Sequence, residues 1–334
     1  MHYIGLDVHK ESVSYCIKTA AGEIVEEGRI EATREALESW AEAQAPWSGL
    51  MEATLFSGWI YDTLAPHAED LAAGHQAAME AITRAKKKSD RLDCDKMADL
   101  SRANLAPRVW MPPRELRELR RLLRFRRRLV EQSTWSKNRI ATALMELGEP
   151  YLKTKIHTKK YFYPFLDKLD VSESDVLLLT ASRARMEDSL AVARMIEQRL
   201  LEHPLLAERV ARLRTIPGVG AITALTWAIE IGDPARFASI DRAVSYCGLC
   251  ACLNESAGKS KRGPLSKQRN AHLQHVLIEA AKLAPRWNDE LARLHAREIE
   301  HGHRNRATIQ VARKLVALLL AVDRRGTDYE PRQG

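Results

Sequence analysis

A helical stretch from Arg114 to Leu147, with no Gly or Pro inside it, constrains this chain more than any other feature. Leu116, Leu119, Leu123, Ile140 and Leu144 recur on one face at helical spacing. Pro107, Pro112 and Pro113 punctuate the linker ahead of it, and Gly148 with Pro150 ends it. A second long helix is expected from about Ser174 to Glu202. Two long amphipathic helices with a loop between them suggest a helical hairpin or coiled-coil arm, with a simple bundle as the plainer alternative. The arm divides the 334 residues into three expected parts: 1–104, 105–207 and 208–334.

The first part reads as α/β. Tyr3–Val8, Ser12–Thr19 and Glu23–Arg29 alternate like strands, and Ala20-Ala21-Gly22-Glu23 supplies a hairpin turn between the last two. Helices are expected over 34–44 and 58–65, a strand ending at Glu52 between them, and a short strand near Leu71 leading into a helical stretch. Ser89 is placed to cap a further helix. The third part is mostly helical and opens on Ile216-Pro217-Gly218-Val219-Gly220. That turn suits a helix–hairpin–helix module, in which Gly218 and Gly220 bring backbone amides close to a phosphate. A plain helix–helix turn is the alternative.

Four carboxylates carry the chemistry. Asp7 and Glu52 each close an apolar run, at the ends of expected strands, and Asp90 and Asp93 share one helix face. Acidic groups converging from strand ends and a helix suit a hard cation such as Mg²⁺. Metal ions held that way can activate a nucleophile and stabilise a leaving oxygen in phosphoryl transfer. Asp95 and Asp99 are expected on the surface, with Asp99 a possible support for the acidic pair, and His9 either lines the site or packs the strand end.

Charge points to the partner. The chain carries a net charge of +8, which favours a polyanion. Residues 114–140 hold nine arginines and one lysine against three glutamates, a local charge of +7. Arg120, Arg121, Arg124, Arg127 and Arg128 are therefore candidate phosphate contacts rather than a solvated face. Between the long helices, Lys159 and Lys160 precede Tyr161, Phe162, Tyr163 and Phe165, a mixture suited equally to stacking on unpaired bases or to packing a hairpin tip. Downstream, Glu255 to Asn270 reads as a basic, hydroxyl-rich loop. Lys259, Lys261, Arg262 and Lys267 would grip a phosphate backbone. A serine among such cations could also attack a phosphodiester, and the chemistry leaves Ser256, Ser260 and Ser266 open.

Cys247, Cys250 and Cys252 cluster without a fourth ligand at zinc spacing, although His272 and His275 follow; small buried residues in a tight turn are the simpler expectation. No signal peptide and no membrane-spanning apolar run is visible, so a cytoplasmic protein without a membrane partner is expected.

Four blocks occur in one order: Ile4-Gly5-Leu6-Asp7-Val8-His9-Lys10, Met51-Glu52-Ala53-Thr54, Lys88-Ser89-Asp90-Arg91-Leu92-Asp93, and Ile216 to Gly220 with the serine loop after it. Together they resemble the insertion-sequence transposases that pair a DEDD RuvC-like domain with a C-terminal serine domain, a family that includes the Piv-type DNA invertases and has bridge-RNA-guided members. The resemblance implies a RuvC-like, RNase H-type α/β fold for the first part. It implies that Asp7, Glu52, Asp90 and Asp93 hold Mg²⁺, and that Ser256 is the nucleophile forming a transient 5′-phosphoserine link to DNA. It further implies donor and target DNA and a structured guide RNA as partners, a homodimer or tetramer joined through the arm, and a site composed from two protomers. A junction-resolving nuclease using water and a non-catalytic nucleic-acid scaffold are the alternative functions. Three positions depart from the family pattern: Ala257 and Arg269 stand where it usually has glycine, and Tyr246 to Cys252 replaces an alanine-rich turn.

Overall fold

A computed structural model describes residues 1–75, 78–79, 90–256 and 259–331, with backbone alone for the strand residues among 253–262. The expected cap Ser89 and the helical stretch before it lie largely outside the described residues. Two compact units are present, Met1–Arg114 and Glu115–Gly334. The arm and the C-terminal region belong to the second.

The first unit is built on a six-stranded sheet. Its strands are β1 (His2–Val8), β2 (Ser12–Lys18), β3 (Ile24–Glu31), β4 (Trp47–Glu52), β5 (Asp70–Gly74) and β6 (Arg108–Val109), in the order β3-β2-β1-β4-β5-β6. β1 pairs antiparallel with β2 and parallel with β4. β6 falls in the stretch expected to be only linker and pairs antiparallel with β5. Gly22 takes φ +93° in the β2–β3 turn, a conformation that glycine adopts without strain.

Alternation along β1 assigns its two faces. Ile4, Leu6 and Val8 pack with Trp47, Met51 and the helices α1 (Arg34–Glu42) and α2 (Ser57–Leu64). Thr33 caps α1 by accepting from the Ala36 amide. Leu37 and Leu64 are fully buried there, each contributing about 2 kcal/mol. On the opposite face, Leu50 and Cys16 pack against Cys94, Met97 and Leu100 of α3 (Asp90–Arg102).

Gly5 is what allows α3 to lie so close. A Cβ at this position would sit 2.0 Å from the Cys94 carbonyl oxygen and 2.6 Å from the Ala98 nitrogen. Both obstacles are backbone and cannot rotate away. Gly5→Ala is therefore expected to destabilise the first unit by about 3 kcal/mol or more, measured by urea unfolding.

Asp95 and Asp99 both lie against Lys18, whose side chain is 6% exposed, at 2.6 and 2.7 Å. This corrects the surface reading of the two carboxylates. A lysine buried in a strand needs a counter-charge, and α3 supplies two, one turn apart.

In the second unit α4 (Arg114–Glu146) and α6 (Glu173–Leu201) run antiparallel. Arg126 meets Glu197 at 2.8 Å, while Ile140 and Leu144 share a cluster with Leu179 at the other end. α5 (Lys159–Leu166) closes the tip. Phe162 is 1% exposed and Tyr161 stacks on Phe165 at 5.4 Å, so most of these rings pack the tip. Tyr163 stays exposed.

The rest comprises α7 (Pro204–Leu213), α8 (Ala221–Ile231), α9 (Ile240–Tyr246), a hairpin of β7 (Ala251–Ser256) and β8 (Lys259–Leu265), α10 (Ala271–Leu283), α11 (Asp289–Glu300) and α12 (Arg304–Arg325). The hairpin replaces the loop expected over the serine segment. Alternating Lys and Ser residues carry no apolar strand signal, so pairing rather than side-chain pattern makes these residues strands.

Candidate functional site

Three elements of the first unit build an acidic site. Asp7 lies at the end of β1, two residues beyond Gly5 and on the same face, and is 6% exposed. Leu6 pairs with Met51 in parallel register, so the next step brings Asp7 beside Glu52 at the end of β4. Both carboxylates thus reach the face that α3 covers. The close approach at Gly5 sets the first turn of α3, with Asp90 and Asp93, over that strand end.

His9 enters the same site. Its Nε2 lies 3.1 Å from Asp7 Oδ2 and 3.5 Å from Asp90 Oδ2. One ligand atom from each of Asp7, His9 and Asp90 falls within a 4.8 Å cluster. Glu52 and Asp93 are outside that tight group. The charge of Asp93 is nonetheless felt at Asp7, where burial pushes the carboxyl above its ordinary value, His9 pulls it back, and Asp90 and Asp93 push it up. Oxygen donors gathered closely enough to raise the proton affinity of Asp7 suit a hard divalent cation, which would relieve that repulsion. Two-residue alternation from Asp7 is the sequence signal that puts His9 on this face.

The serine lies in the second unit. Ser256 ends β7 in register with Lys259 of β8, so it stands at the turn end of the hairpin. Ser260 is opposite Glu255. Ser266 is at the other end, where its amide donates to the Cys250 carbonyl at 3.0 Å and its Oγ accepts from the Gln268 amide. The side chains of Ser256, Ser260, Lys259, Lys261 and Arg262 lie outside the described residues. Lys267 is exposed. All five cysteines are free, Cys247 being buried, and no His/Cys metal cluster forms among the described residues.

Gly248, with φ +72°, leads into the hairpin, and a Cβ on it would lie 2.4 Å from that of Arg269. The bulk of Arg269 is thus accommodated by a glycine across from it. Gly218, at φ +93°, plays a similar part in the turn before α8, where a Cβ would lie 2.7 Å from that of Ala284. Gly220 caps α8 and has open space around it. Of the two glycines expected to serve a phosphate, Gly218 is thus also called for by its backbone conformation and by packing.

The basic helix needs correction too. Arg120 is turned inward: its Nε donates to the Ile229 carbonyl at 3.0 Å and its Nη2 to the Glu230 carbonyl at 2.7 Å. Arg124 forms a two-pronged pair with Glu230 at 2.8 and 2.9 Å. Arg127 binds Glu131 and approaches His272. Arg121, with its side chain 72% exposed, and Arg128 point to solvent. Lys160 is also exposed, as is Lys159, which pairs with Glu187 at 3.2 Å.

Sequence reasoning missed Glu230, although its signal is plain: one carboxylate inside the apolar run Ala221–Ile231. It is 0% exposed. Burial raises its proton affinity, but the bonds and charge of Arg124, then Asn270 and Arg120, outweigh that and hold the carboxyl below its usual range.

Comparison with known proteins follows this geometry. Residues 4–148, which contain the whole acidic site, match the model of the DEDD-type IS110 transposases. Residues 210–296, which contain Glu230 and the hairpin, match the model described as the transposase IS116/IS110/IS902 family. Both stretches thus match models of transposases. More narrowly, with the two matches in chain order and together spanning more than half of its length, the chain belongs to the IS110/IS116/IS902 family. A putative transposase, y4qE, of Sinorhizobium fredii is 28% identical over 197 residues, 58% of this chain and 47% of that protein. The transposase for insertion sequence element IS1111A of Coxiella burnetii is 27% identical over 254 residues, 72% of this chain and 68% of that protein. The transposase for insertion sequence element IS1328 of Yersinia enterocolitica is 28% identical over 138 residues, 40% of this chain and 41% of that protein. The chain spans about half the length of the first of these relatives. No helix among the described residues is long and apolar enough to cross a membrane.

Proposed function

We propose that this protein is a DNA recombinase that cuts and rejoins strands through a serine, with a carboxylate-held Mg²⁺ assisting. The observation that carries this reading is the convergence of Asp7, from a strand end, with Asp90, from a helix start, inside one 4.8 Å cluster. The antiparallel β3-β2-β1 half joined to parallel β4 and β5 supports a RuvC-like, RNase H-type domain. Asp7, Glu52, Asp90 and Asp93 would hold the cation. When bound, it would supply positive charge to the phosphate under attack.

The protein's own groups do the rest. Ser256 Oγ loses its proton and attacks phosphorus; the P–O3′ bond breaks, freeing a 3′-hydroxyl and leaving the 5′ end on serine. Lys259, Lys261, Arg262 and Lys267 stabilise the charge that develops on the phosphate. In rejoining, a 3′-hydroxyl from another strand attacks and the serine is released. The family resemblance supports DNA donor and target, guidance by a structured RNA, a composite site from two protomers of a dimer or tetramer, and action in the cytoplasm. The two units are consistent with such sharing, since the carboxylates belong to one and the serine to the other.

The test is an SDS-quenched reaction of the full chain with Mg²⁺ and DNA of the element ends. A strand labelled at its 3′ end is expected to travel with the protein, and the peptide carrying it to contain Ser256. A resolving nuclease that uses water leaves all label free. A non-catalytic scaffold makes no new strand ends at all.

Binding separates the arginines. Arg121→Gln combined with Arg128→Gln is expected to lower the slope of log affinity against log salt by about 2. Arg120→Gln is expected to lower thermal stability instead. An unchanged slope in the double variant would remove these two from the interface.

A further inference from the structure

The Glu230 carboxylate gathers more than helix-to-helix contacts. Besides Arg124, it accepts from Asn270 Nδ2 at 2.9 Å. Its backbone carbonyl accepts from Arg120 and, at 3.2 Å, from the Tyr246 hydroxyl. Tyr246 ends α9, just before the β7–β8 hairpin, and Asn270 follows the hairpin as the cap of α10. The two are tied directly by the Asn270 amide donating to the Tyr246 carbonyl at 2.9 Å. The Arg236 guanidinium covers the Tyr246 ring at 4.4 Å. Both feet of the hairpin therefore meet at Glu230, Asn270 on its buried carboxylate and Tyr246 on its backbone carbonyl, and Arg124 of the long helix α4 braces the carboxylate.

Such a cluster is a poor means of gaining stability. Desolvating a carboxylate and guanidinium offsets much of their attraction, and apolar residues of similar volume often do as well. What a bidentate pair adds is fixed orientation. We propose that Glu230 is a positioning residue: it fixes the neck of the β7–β8 hairpin through Tyr246 and Asn270, and so sets the direction from which Ser256 meets the phosphate. The inference rests on the serine reading given above. Small misplacement of a nucleophile lowers the rate of the chemical step far more than it lowers binding.

The experiment uses the full chain with Mg²⁺ and element-end DNA, and compares Glu230→Gln, Tyr246→Phe and Ser256→Ala. Glu230→Gln keeps the shape but loses the charge that orients Arg124. Tyr246→Phe releases one foot and leaves no charge unpaired. Three quantities are read: the rate of covalent adduct formation at saturating DNA, DNA affinity, and hydrogen exchange in β7 and β8 against α12. Glu230→Gln is expected to slow adduct formation about tenfold or more, with affinity within twofold. Exchange should rise in β7 and β8 and stay unchanged in α12. Tyr246→Phe should shift the same quantities in the same direction by less. Adduct formation at the wild-type rate in both variants overturns the proposal. So does a Glu230→Gln loss with α12 exchanging equally fast while Tyr246→Phe behaves as wild type, since that marks a general loss of fold. The serine reading has its own arm: an adduct in Ser256→Ala ends that reading whatever Glu230 does.

Discussion

Ser256→Ala is expected to abolish strand exchange and the covalent protein–DNA species, lowering the rate by at least about a thousandfold, while DNA affinity is retained. The reason is chemical. Alanine removes the only atom at the turn end of the hairpin that this reading allows to bond phosphorus, and neighbouring lysines cannot replace an oxygen nucleophile. Ser260 and Ser266 provide the internal comparison. Ser260 faces Glu255 across the strands, and the Ser266 hydroxyl accepts a local amide at the far end. Alanine at either should leave the adduct in place. A labelled-DNA gel after SDS quenching and a filter-binding curve on the same samples separate chemistry from binding. An undiminished adduct in Ser256→Ala would transfer the role elsewhere.

Asp7→Asn should remove Mg²⁺-dependent activity by on the order of a thousandfold, the effect of losing several kcal/mol of charge stabilisation. Its second consequence runs the other way. The Asp7 charge is disfavoured by burial and by Asp90 and Asp93, so the amide relieves repulsion while still accepting from His9. Without metal, the melting temperature of Asp7→Asn is expected to equal or exceed that of the wild type, as for other groups held in place for function at the expense of stability. Differential scanning calorimetry in EDTA, paired with activity in Mg²⁺, reads both effects. Full activity in the variant would remove the metal site from the reading, and a marked fall in melting temperature would make Asp7 a structural residue.

Much of the first unit was legible from residue order. Alternation and the Ala20–Glu23 turn were enough for β1 to β3, and the carboxylates at strand ends marked where β1 and β4 stop. For His9, lining the site and packing the strand end stayed open, because its contact with Asp90 depends on how closely α3 packs. The arm followed from helical spacing and the prolines. Arg120 and Arg124 show what charge counting cannot supply: a basic run reads the same whether its side chains face water or a buried glutamate on another helix. Lys18 with Asp95 and Asp99 is the same lesson in reverse, three charges that resemble surface decoration until the strand and helix are paired. The hairpin carrying Ser256 was hidden because its polar alternation matches a loop as well as a strand, and only the register between Ala251 and Leu265 distinguishes them.

The missing side chain at Gly5 has a use for anyone redesigning this protein. Where α3 crosses β1, main chain rests on main chain, so the spacing of Asp7 from Asp90 is set by atoms that every amino acid shares. Exchanging Leu50, Met97 or Leu100 for residues of similar bulk would alter how tightly the surrounding core is filled and leave that spacing alone. The ruler that separates the two halves of the acidic site is thus held apart from the parts most often changed when a scaffold is tuned for heat or expression.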